Sequence, residues 1–350
     1  MALEMLQRRK TGERKRLRLG TYPYTYARVS AMRGKLIKKD DYIRLLRMDT
    51  SSIIKFLEET EYKASIDRLS PKYKGVELAE RALSDNMVRT AAKLKEISKV
   101  EVVALIDAYL KRWDVYNIKT ILRGKNKQLN AEGLLIPLGS LQETQLKELM
   151  SLPTVSEILK RLKAKGYAVD AAHFEKTKEL GLVENQLDRD FYYTTMRFAE
   201  QIPEEGEQFR RFLKMEIDIV NMRNLLKLKR ANAGQENTMQ HLIPAGLHIH
   251  EQQLRRMAAA RNTEELISHL KATKYGALFE KQASLVDIEL ALDKYWLQQA
   301  QLYSHQKPLS VQTILAYLLA KDIEMRNLRA IVRGKQLGLQ ESFIEQKLLI

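Results

Sequence analysis

Six cations recur in this sequence as three pairs, and each pair has the spacing that places two side chains on one face of a helix. The pairs are Lys119 and Arg123, Arg223 and Lys227, and Arg329 and Arg333. Like charges four residues apart destabilise an isolated helix by about 0.2–0.5 kcal/mol per pair. Two interpretations of the pairs stay open. They are solvated faces whose long stems cover apolar surface, or they form a basic surface that docks an acidic partner.

Each cation pair lies within a longer motif that occurs three times. Residues 114–125 read DVYNIKTILRGK, residues 218–229 read DIVNMRNLLKLK, and residues 324–335 read EMRNLRAIVRGK. The asparagines of the motif stand among apolar residues, so we expect structural amides that hydrogen-bond a neighbouring helix. They are Asn117, Asn221 and Asn327. Gly124 and Gly334 are expected to be the C′ caps that end their helices.

Other landmarks repeat with nearly the same period of about 105 residues, which indicates a domain-sized triplication rather than a solenoid. They are Glu80-x-x-Leu83-Ser84, Glu184-x-x-Leu187-Asp188 and Glu289-x-x-Leu292-Asp293; the tyrosines Tyr62, Tyr167 and Tyr275; and Leu-Ile-Pro-x-Gly at residues 135–139 and 242–246. Each repeat is predicted to contain a short helix ending at the tyrosine, a helix opened by Glu-x-x-Leu, and a long helix ending in the motif. Asp188 is expected to cap a helix.

Composition predicts an all-α fold, because good helix formers dominate while glycine (15) and proline (7) are scarce among 350 residues. The repeats predict three similar helical domains at residues 22–130 (with an additional N-terminal helix), 131–236 and 237–350. Residues 1–21 form a basic arm, predicted to be disordered, with nucleic-acid or anionic-surface contact as the alternative.

Motifs of catalysis are absent from the sequence, so no catalytic, cofactor-binding or metal site is predicted. There is no phosphate-binding glycine loop, dinucleotide fingerprint, zinc-protease motif or nucleophile elbow. The absence of cysteine excludes thiolate chemistry and fits a reducing cytosol. The nearest histidine cluster, His241, His248 and His250, is interpreted as part of a loop. No apolar run is long enough to span a membrane, and the N-terminus does not read as a secretory signal.

The chain resembles the C subunit of archaeal A-type ATP synthases, which is similar to the d subunit of vacuolar ATPases. The resemblance rests on residues 22–48 (YPYTYARVSAMRGKLIKKDDYIRLLRM), on the Tyr62 element and on the three motif copies. The resemblance covers roughly residues 22–350, and the basic arm departs from it. It implies three similar helical domains in a pseudo-threefold funnel, within a monomer of a hetero-oligomeric complex. It also implies a rotor component without an active site or cofactor.

By the same resemblance, the protein would rest on the proteolipid (c/K) ring at the cytoplasmic face of the cell membrane. It would receive the central shaft formed by the D and F subunits, and it would transmit torque between ring and shaft. The six paired cations are expected to contact these partners from the funnel or its rim.

Two other function classes remain as alternatives. A basic all-α nucleic-acid-binding protein is suggested by a net charge of +16 and a pI near 9.7. Aromatic residues make up only 7% of the chain and no recognised nucleic-acid module occurs, which argues against it. The second alternative is an all-α enzyme with an unrecognised site. The sequence shows no constellation of catalytic residues, which argues against that class.

Overall fold

The structure is a computed structural model that describes residues 22–280 and 284–350. Throughout these ranges the regular elements are helices and no strand occurs, which confirms the all-α fold class. The predicted basic arm, residues 1–21, lies outside the described residues.

The helices fall into three successive groups, one for each predicted repeat, and two short 3₁₀ turns accompany them at Glu132–Leu134 and Gly276–Phe279. The first group is α1 (Tyr22–Arg33), α2 (Lys39–Leu46), α3 (Thr50–Glu58), α4 (Lys63–Leu69), α5 (Gly75–Glu96), α6 (Val100–Leu110) and α7 (Arg112–Lys127). The second group is α8 (Glu143–Ser151), α9 (Val155–Ala164), α10 (Ala171–Thr177), α11 (Leu180–Ala199) and α12 (Glu205–Arg230). The third group is α13 (Gln235–Gln240), α14 (Glu251–Ala258), α15 (Thr263–Lys271), α16 (Leu285–Gln306), α17 (Val311–Gln336) and α18 (Glu341–Glu345).

The predicted order of helices recurs in all three repeats. The short helices α3, α9 and α15 end three or four residues before the repeated tyrosine. Each follows an N-cap side chain that accepts a hydrogen bond from a backbone N–H three residues later, which satisfies a donor that the helix itself cannot. These caps are Asp49, Thr154 and Asn262. The helices α5, α11 and α16 follow. The long helix is continuous in α12 and α17, whereas it is divided into α6 and α7 in the first repeat.

Two compact units make up the chain. The first contains the described residues up to 114, residues 132–142 and residues 300–350, and the second contains residues 115–131 and 143–299. In the first unit α17 packs along α5 and also contacts α1 and α3. In the second unit α12 packs against α11 and α15. Each unit thus combines segments of more than one repeat. The three predicted domain boundaries stay a prediction.

The expectation that Gly124 and Gly334 are C′ caps is wrong, because α7 and α17 continue past them to Lys127 and Gln336. Both glycines occupy the C3 position of a Schellman motif, in which the sixth residue donates its backbone N–H to the carbonyl of the first. The N–O distances are 2.8 Å for Leu129 to Gly124 and 2.9 Å for Leu339 to Gly334. A Cβ on Gly334 would lie 2.5 Å from Ile344 Cδ1, so glycine here permits close packing.

The residues that do occupy C′ are left-handed in all three repeats. Their φ angles are +55° at Gln128, +53° at Asn232 and +64° at Gly338. The middle copy forms the same motif, with Ala233 donating to Leu228 at 2.9 Å. Glycine and asparagine tolerate this conformation, but glutamine is strained in it.

Gln128→Gly should raise the free energy of unfolding by about 0.5–1 kcal/mol, because glycine adopts the left-handed conformation without a Cβ clash. Gly338→Ala should lower it by about 1 kcal/mol for the converse reason. Urea denaturation measures both, and Gln128→Ala is the matched control, expected within about 0.5 kcal/mol of the parent chain. A Gln128→Gly variant no more stable than Gln128→Ala would contradict this interpretation.

Candidate functional site

The acidic residue that begins each motif is buried, and it accepts hydrogen bonds from another repeat. Asp218, which is fully buried, shows this in the second unit. It accepts backbone N–H groups from Leu247 (3.1 Å), His248 (2.8 Å) and Ile249 (3.3 Å), and the Tyr275 hydroxyl donates to it at 2.6 Å. A buried carboxylate is tolerable only with this degree of hydrogen bonding. Burial raises the pKa of Asp218, and the four donors counteract that rise.

Glu324 has the same role in the first unit, where two of its donors belong to the first repeat and a third, Lys321, belongs to its own. The backbone N–H of Ile37 and the hydroxyl of Tyr62 each donate to its carboxylate at 2.6 Å. Lys321 also donates at 2.6 Å, and its Nζ lies 3.1 Å from the Tyr62 hydroxyl. All three side chains of this cluster are buried. Burial, and next the charge of Glu324, raise the pKa of Tyr62, so the tyrosine remains a neutral donor.

Asp114, at the start of the first motif, is buried beneath the loop that contains residues 139–141. It accepts the backbone N–H and the hydroxyl of Ser140 at 2.9 and 2.5 Å, and the backbone N–H of Leu141 at 2.8 Å. A Cβ on Gly139 would overlap this carboxylate, and a Cβ on Gly246 would overlap that of Asp218. The glycine of Leu-Ile-Pro-x-Gly therefore lets the loop wrap around the acidic side chain.

A further landmark that the sequence analysis missed supplies one of these donors in every repeat. Ile37, Leu141 and Ile249 each donate a backbone N–H to the motif carboxylate, two residues before helices α2, α8 and α14. These residues are 104 and 108 positions apart, close to the repeat period of about 105, so a search of the sequence for that period could have identified them. The signal was weak, because one apolar residue before a helix carries little information.

The repeated asparagines are buried in all three copies. Asn221 pairs with the backbone of Ile243, donating to its carbonyl and accepting its N–H, both at 2.8 Å. Asn327 pairs in the same way with Leu349, at 2.8 and 3.0 Å. Their partners are loop backbones rather than the neighbouring helix that the sequence predicted.

The first cation of each pair contacts the Glu-x-x-Leu helix of the next repeat. Lys119 lies 2.7 and 2.9 Å from the two carboxylate oxygens of Asp188. Arg223 pairs with Asp293. Arg329 donates to the hydroxyl of Ser84 at 2.6 Å, so this third joint is a hydrogen bond rather than an ion pair.

The second cation of each pair contacts the glutamate of the same helix. Arg123 makes two bonds of 2.6 Å to Glu184, and this fork geometry is the strongest arrangement for a guanidinium and a carboxylate. Lys227 lies 3.2 Å from Glu289, and Arg333 pairs with Glu80. These outer cations stay 42–63% exposed, whereas Lys119 and Arg223 are only 21% and 23% exposed.

These six contacts, which we name the inter-repeat pairs, follow one rule. The motif of the first repeat binds the second, that of the second binds the third, and that of the third binds the first.

The expectation that Asp188 caps a helix is wrong, because it lies well inside α11 and binds Lys119. The carboxylates also explain how like charges can stand four residues apart, since five of the six cations pair with a carboxylate of another repeat.

The arrangement can join helices and hold charge, and it resembles no catalytic constellation. Within residues 22–280 and 284–350, no group of three or more metal-ligating side chains is assembled. No helix in those ranges is long and apolar enough to cross a membrane.

Tyr275→Phe should lower the free energy of unfolding by about 1.5–3 kcal/mol near pH 7.5, because it removes a charge-assisted donor from buried Asp218. The tyrosine's bond lowers the pKa of Asp218, so its loss should raise that pKa further. The native carboxyl would then bind its proton more readily than the unfolded one, and stability would rise as the pH falls. The difference from the parent chain should therefore shrink near pH 5.

Chemical denaturation at the two pH values measures this effect, with Tyr193→Phe as the exposed control. A loss that is independent of pH would count against the role assigned to Asp218.

Gly139→Ala should destabilise the chain by about 1–3 kcal/mol, because the added methyl group overlaps the carboxylate of Asp114. Gly133→Ala is the matched control, since a Cβ there meets no atom within 4 Å. Thermal and urea denaturation of both variants measure the difference. Equal stabilities would mean that the loop does not depend on close approach to Asp114.

Comparison with known proteins identifies the family of this chain. The family model described as "ATP synthase (C/AC39) subunit" matches residues 25–347. The A-type ATP synthase C subunit of Methanosarcina barkeri is 36% identical over 349 residues, covering 97% of this chain and 95% of the relative. The corresponding protein of Methanosarcina mazei shows the same identity and coverage. That of Archaeoglobus fulgidus is 32% identical, covering 94% of this chain and 96% of the relative.

These matches extend across all three copies of the motif and across the helices that receive its charged side chains. The chain therefore belongs to the ATP synthase (C/AC39) subunit family.

Proposed function

We propose that this chain is the central-stalk adaptor of a rotary A-type ATP synthase, linking the membrane proteolipid ring to the shaft formed by the D and F subunits. In this role it transmits torque at the cytoplasmic face of the membrane and has no active site of its own. The three repeats would surround a common axis as a pseudo-threefold funnel. Relatives named as the C subunit of A-type ATP synthases, similar along nearly the whole chain, support the assignment.

The observation that carries the proposal is the set of inter-repeat pairs. A torque adaptor must not deform when one end turns against a load. Each motif here joins its repeat to the next by a buried, fully hydrogen-bonded carboxylate and by two surface-proximal contacts. Leaving a buried acceptor without one of its donors typically costs about 1–3 kcal/mol. Joints of this kind support a stiff body.

The sequence predicts that Lys119, Arg123, Arg223, Lys227, Arg329 and Arg333 contact the ring or the shaft, and this stays a prediction. The structure gives each of them an intramolecular partner. We propose a division of labour within each pair. The outer cations Arg123, Lys227 and Arg333 keep exposed surface for an acidic partner, whereas the inner cations serve the joint alone.

Exchanging the charges within the outer pairs should separate these two roles. The variant combines Arg123→Glu with Glu184→Arg, Lys227→Glu with Glu289→Lys, and Arg333→Glu with Glu80→Arg. Each intramolecular attraction is preserved while the exposed charges are inverted. We expect binding to purified ring and D–F shaft to weaken at least about tenfold, because like charges oppose each other across an interface. Pull-down and titration at fixed ionic strength measure this.

The control exchanges the inner pair, Lys119→Asp with Asp188→Lys, and should leave partner binding unchanged. A folded outer-pair variant that binds ring and shaft like the parent would remove the outer cations from the interface. A chain that binds neither component, but binds duplex DNA tightly with a steep dependence on salt, would favour the nucleic-acid alternative.

A further inference from the structure

The N-terminal helix α1 has one buried side, which fixes the helix to the first unit. Thr25, Val29 and Met32 are buried, and their spacing of four and three residues places them on one helical face. The Thr25 hydroxyl also donates to the Ile97 carbonyl at 2.6 Å, and α1 contacts α17. The opposite side of α1 is therefore directed away from the core.

That opposite side, which we name the α1 outer face, consists of Tyr24, Ala27, Arg28 and Ala31. All four are exposed, and their spacing of three and four residues makes them neighbours along the helix. The Arg28 guanidinium lies 5.9 Å from the centre of the Tyr24 ring, which is a cation–π arrangement. Tyr24 is 57% exposed, and Tyr26 beside it is 38% exposed. Within the part of the chain that the structure describes, Arg28 makes no ion pair.

The sequence around the α1 outer face carries charge of one sign only. Residues 14–39 contain nine lysines and arginines and no aspartate or glutamate. Lys35 is paired with Glu61 at 2.6 Å, so its charge is already compensated. Charge of one sign within a short stretch attracts an anionic surface. The four cations that precede α1, which lie outside the described residues, are Arg14, Lys15, Arg16 and Arg18.

An anionic lipid bilayer fits this combination of side chains better than a nucleic acid does. Tyrosine is enriched where a membrane meets water, because its ring is apolar and its hydroxyl is polar. Clusters of roughly four to eight cations beside a surface helix attract anionic headgroups. Leu17 and Leu19 alternate with the cations before α1, and leucine gains free energy in lipid but not on a phosphate backbone.

We propose that the α1 outer face and the four preceding cations bind the surface of an anionic lipid bilayer. Tyr24 and Tyr26 would lie at the level of the headgroups, and Arg28 would meet their phosphates. The inference rests on the proposed function in one respect, since a subunit at the cytoplasmic face of a membrane has such a surface within reach. The contact would hold the chain against the bilayer in addition to its protein partners.

The test mixes the full chain, without any other subunit, with vesicles of phosphatidylcholine that contain about one third phosphatidylglycerol. Co-sedimentation measures binding, which should be lost at high salt and with vesicles of phosphatidylcholine alone. Tyr24→Ser combined with Tyr26→Ser should weaken binding about tenfold, because two interfacial rings are lost. Tyr193→Ser, at another exposed tyrosine, should leave binding unchanged.

Replacing the cations tests the electrostatic part of the contact. Each cation removed from the membrane surface should weaken vesicle binding roughly fivefold. The variant combines Arg14→Gln, Lys15→Gln, Arg16→Gln and Arg18→Gln. Its control changes the net charge by the same amount at four exposed lysines elsewhere, and it should weaken binding much less. The control combines Lys163→Gln, Lys165→Gln, Lys271→Gln and Lys274→Gln.

Three results would overturn the proposal. The first is equal binding of the parent chain to neutral and anionic vesicles. The second is parent-like vesicle binding by the tyrosine and cation variants, with circular dichroism confirming that they are folded. The third is tighter binding of the parent chain to nucleic acid than to anionic vesicles at the same ionic strength, which would assign the face to nucleic acid. A chain that binds ring and shaft but no vesicle would defeat this inference alone and leave the proposed function in place.

Discussion

A carboxylate buried at the joint between two repeats constrains everything else in this chain. Removing an ionised carboxylate from water costs several kcal/mol unless donors replace the lost solvent. Asp218 receives four donors, and all of them lie in the repeat after its own. The acid and its donors therefore become stable only when two repeats meet, and the joint is specified by charge as well as by shape.

The paired cations extend the same logic toward the surface. The outer glutamates bind cations that remain largely exposed, where ion pairs are individually worth only about 0–1 kcal/mol. Their value lies in register, because a slip of one helical turn would separate one cation of each pair from its partner. Contacts of decreasing burial thus fix how one long helix lies against the next repeat, from the buried carboxylate through the inner cation to the exposed outer cation.

Much of this was predictable from the sequence, since a period of about 105 residues identified the motif, the tyrosines and the receiving helices. The all-α fold and the order of helices follow from composition and periodicity. What the sequence could not supply was the partner of each element. Tyr62 and Glu324 stand far apart in the chain, and their spacing says nothing about contact. The cap positions were predicted wrongly for a related reason, because a glycine near a helix end serves close packing or a left-handed turn, and only the backbone distinguishes the two.

The direction of the joints has a consequence for how such a chain could arise. One repeat alone would end in a motif without a receiver and begin with a tyrosine without an acid. Its unmet groups match each other, so several separate copies could satisfy them by binding head to tail. Fusing the copies into one polypeptide would keep those contacts and fix their number. Each copy could then change its exposed residues independently, as the position just before the left-handed cap illustrates, which is Lys127, Ala231 and Leu337 in the three repeats.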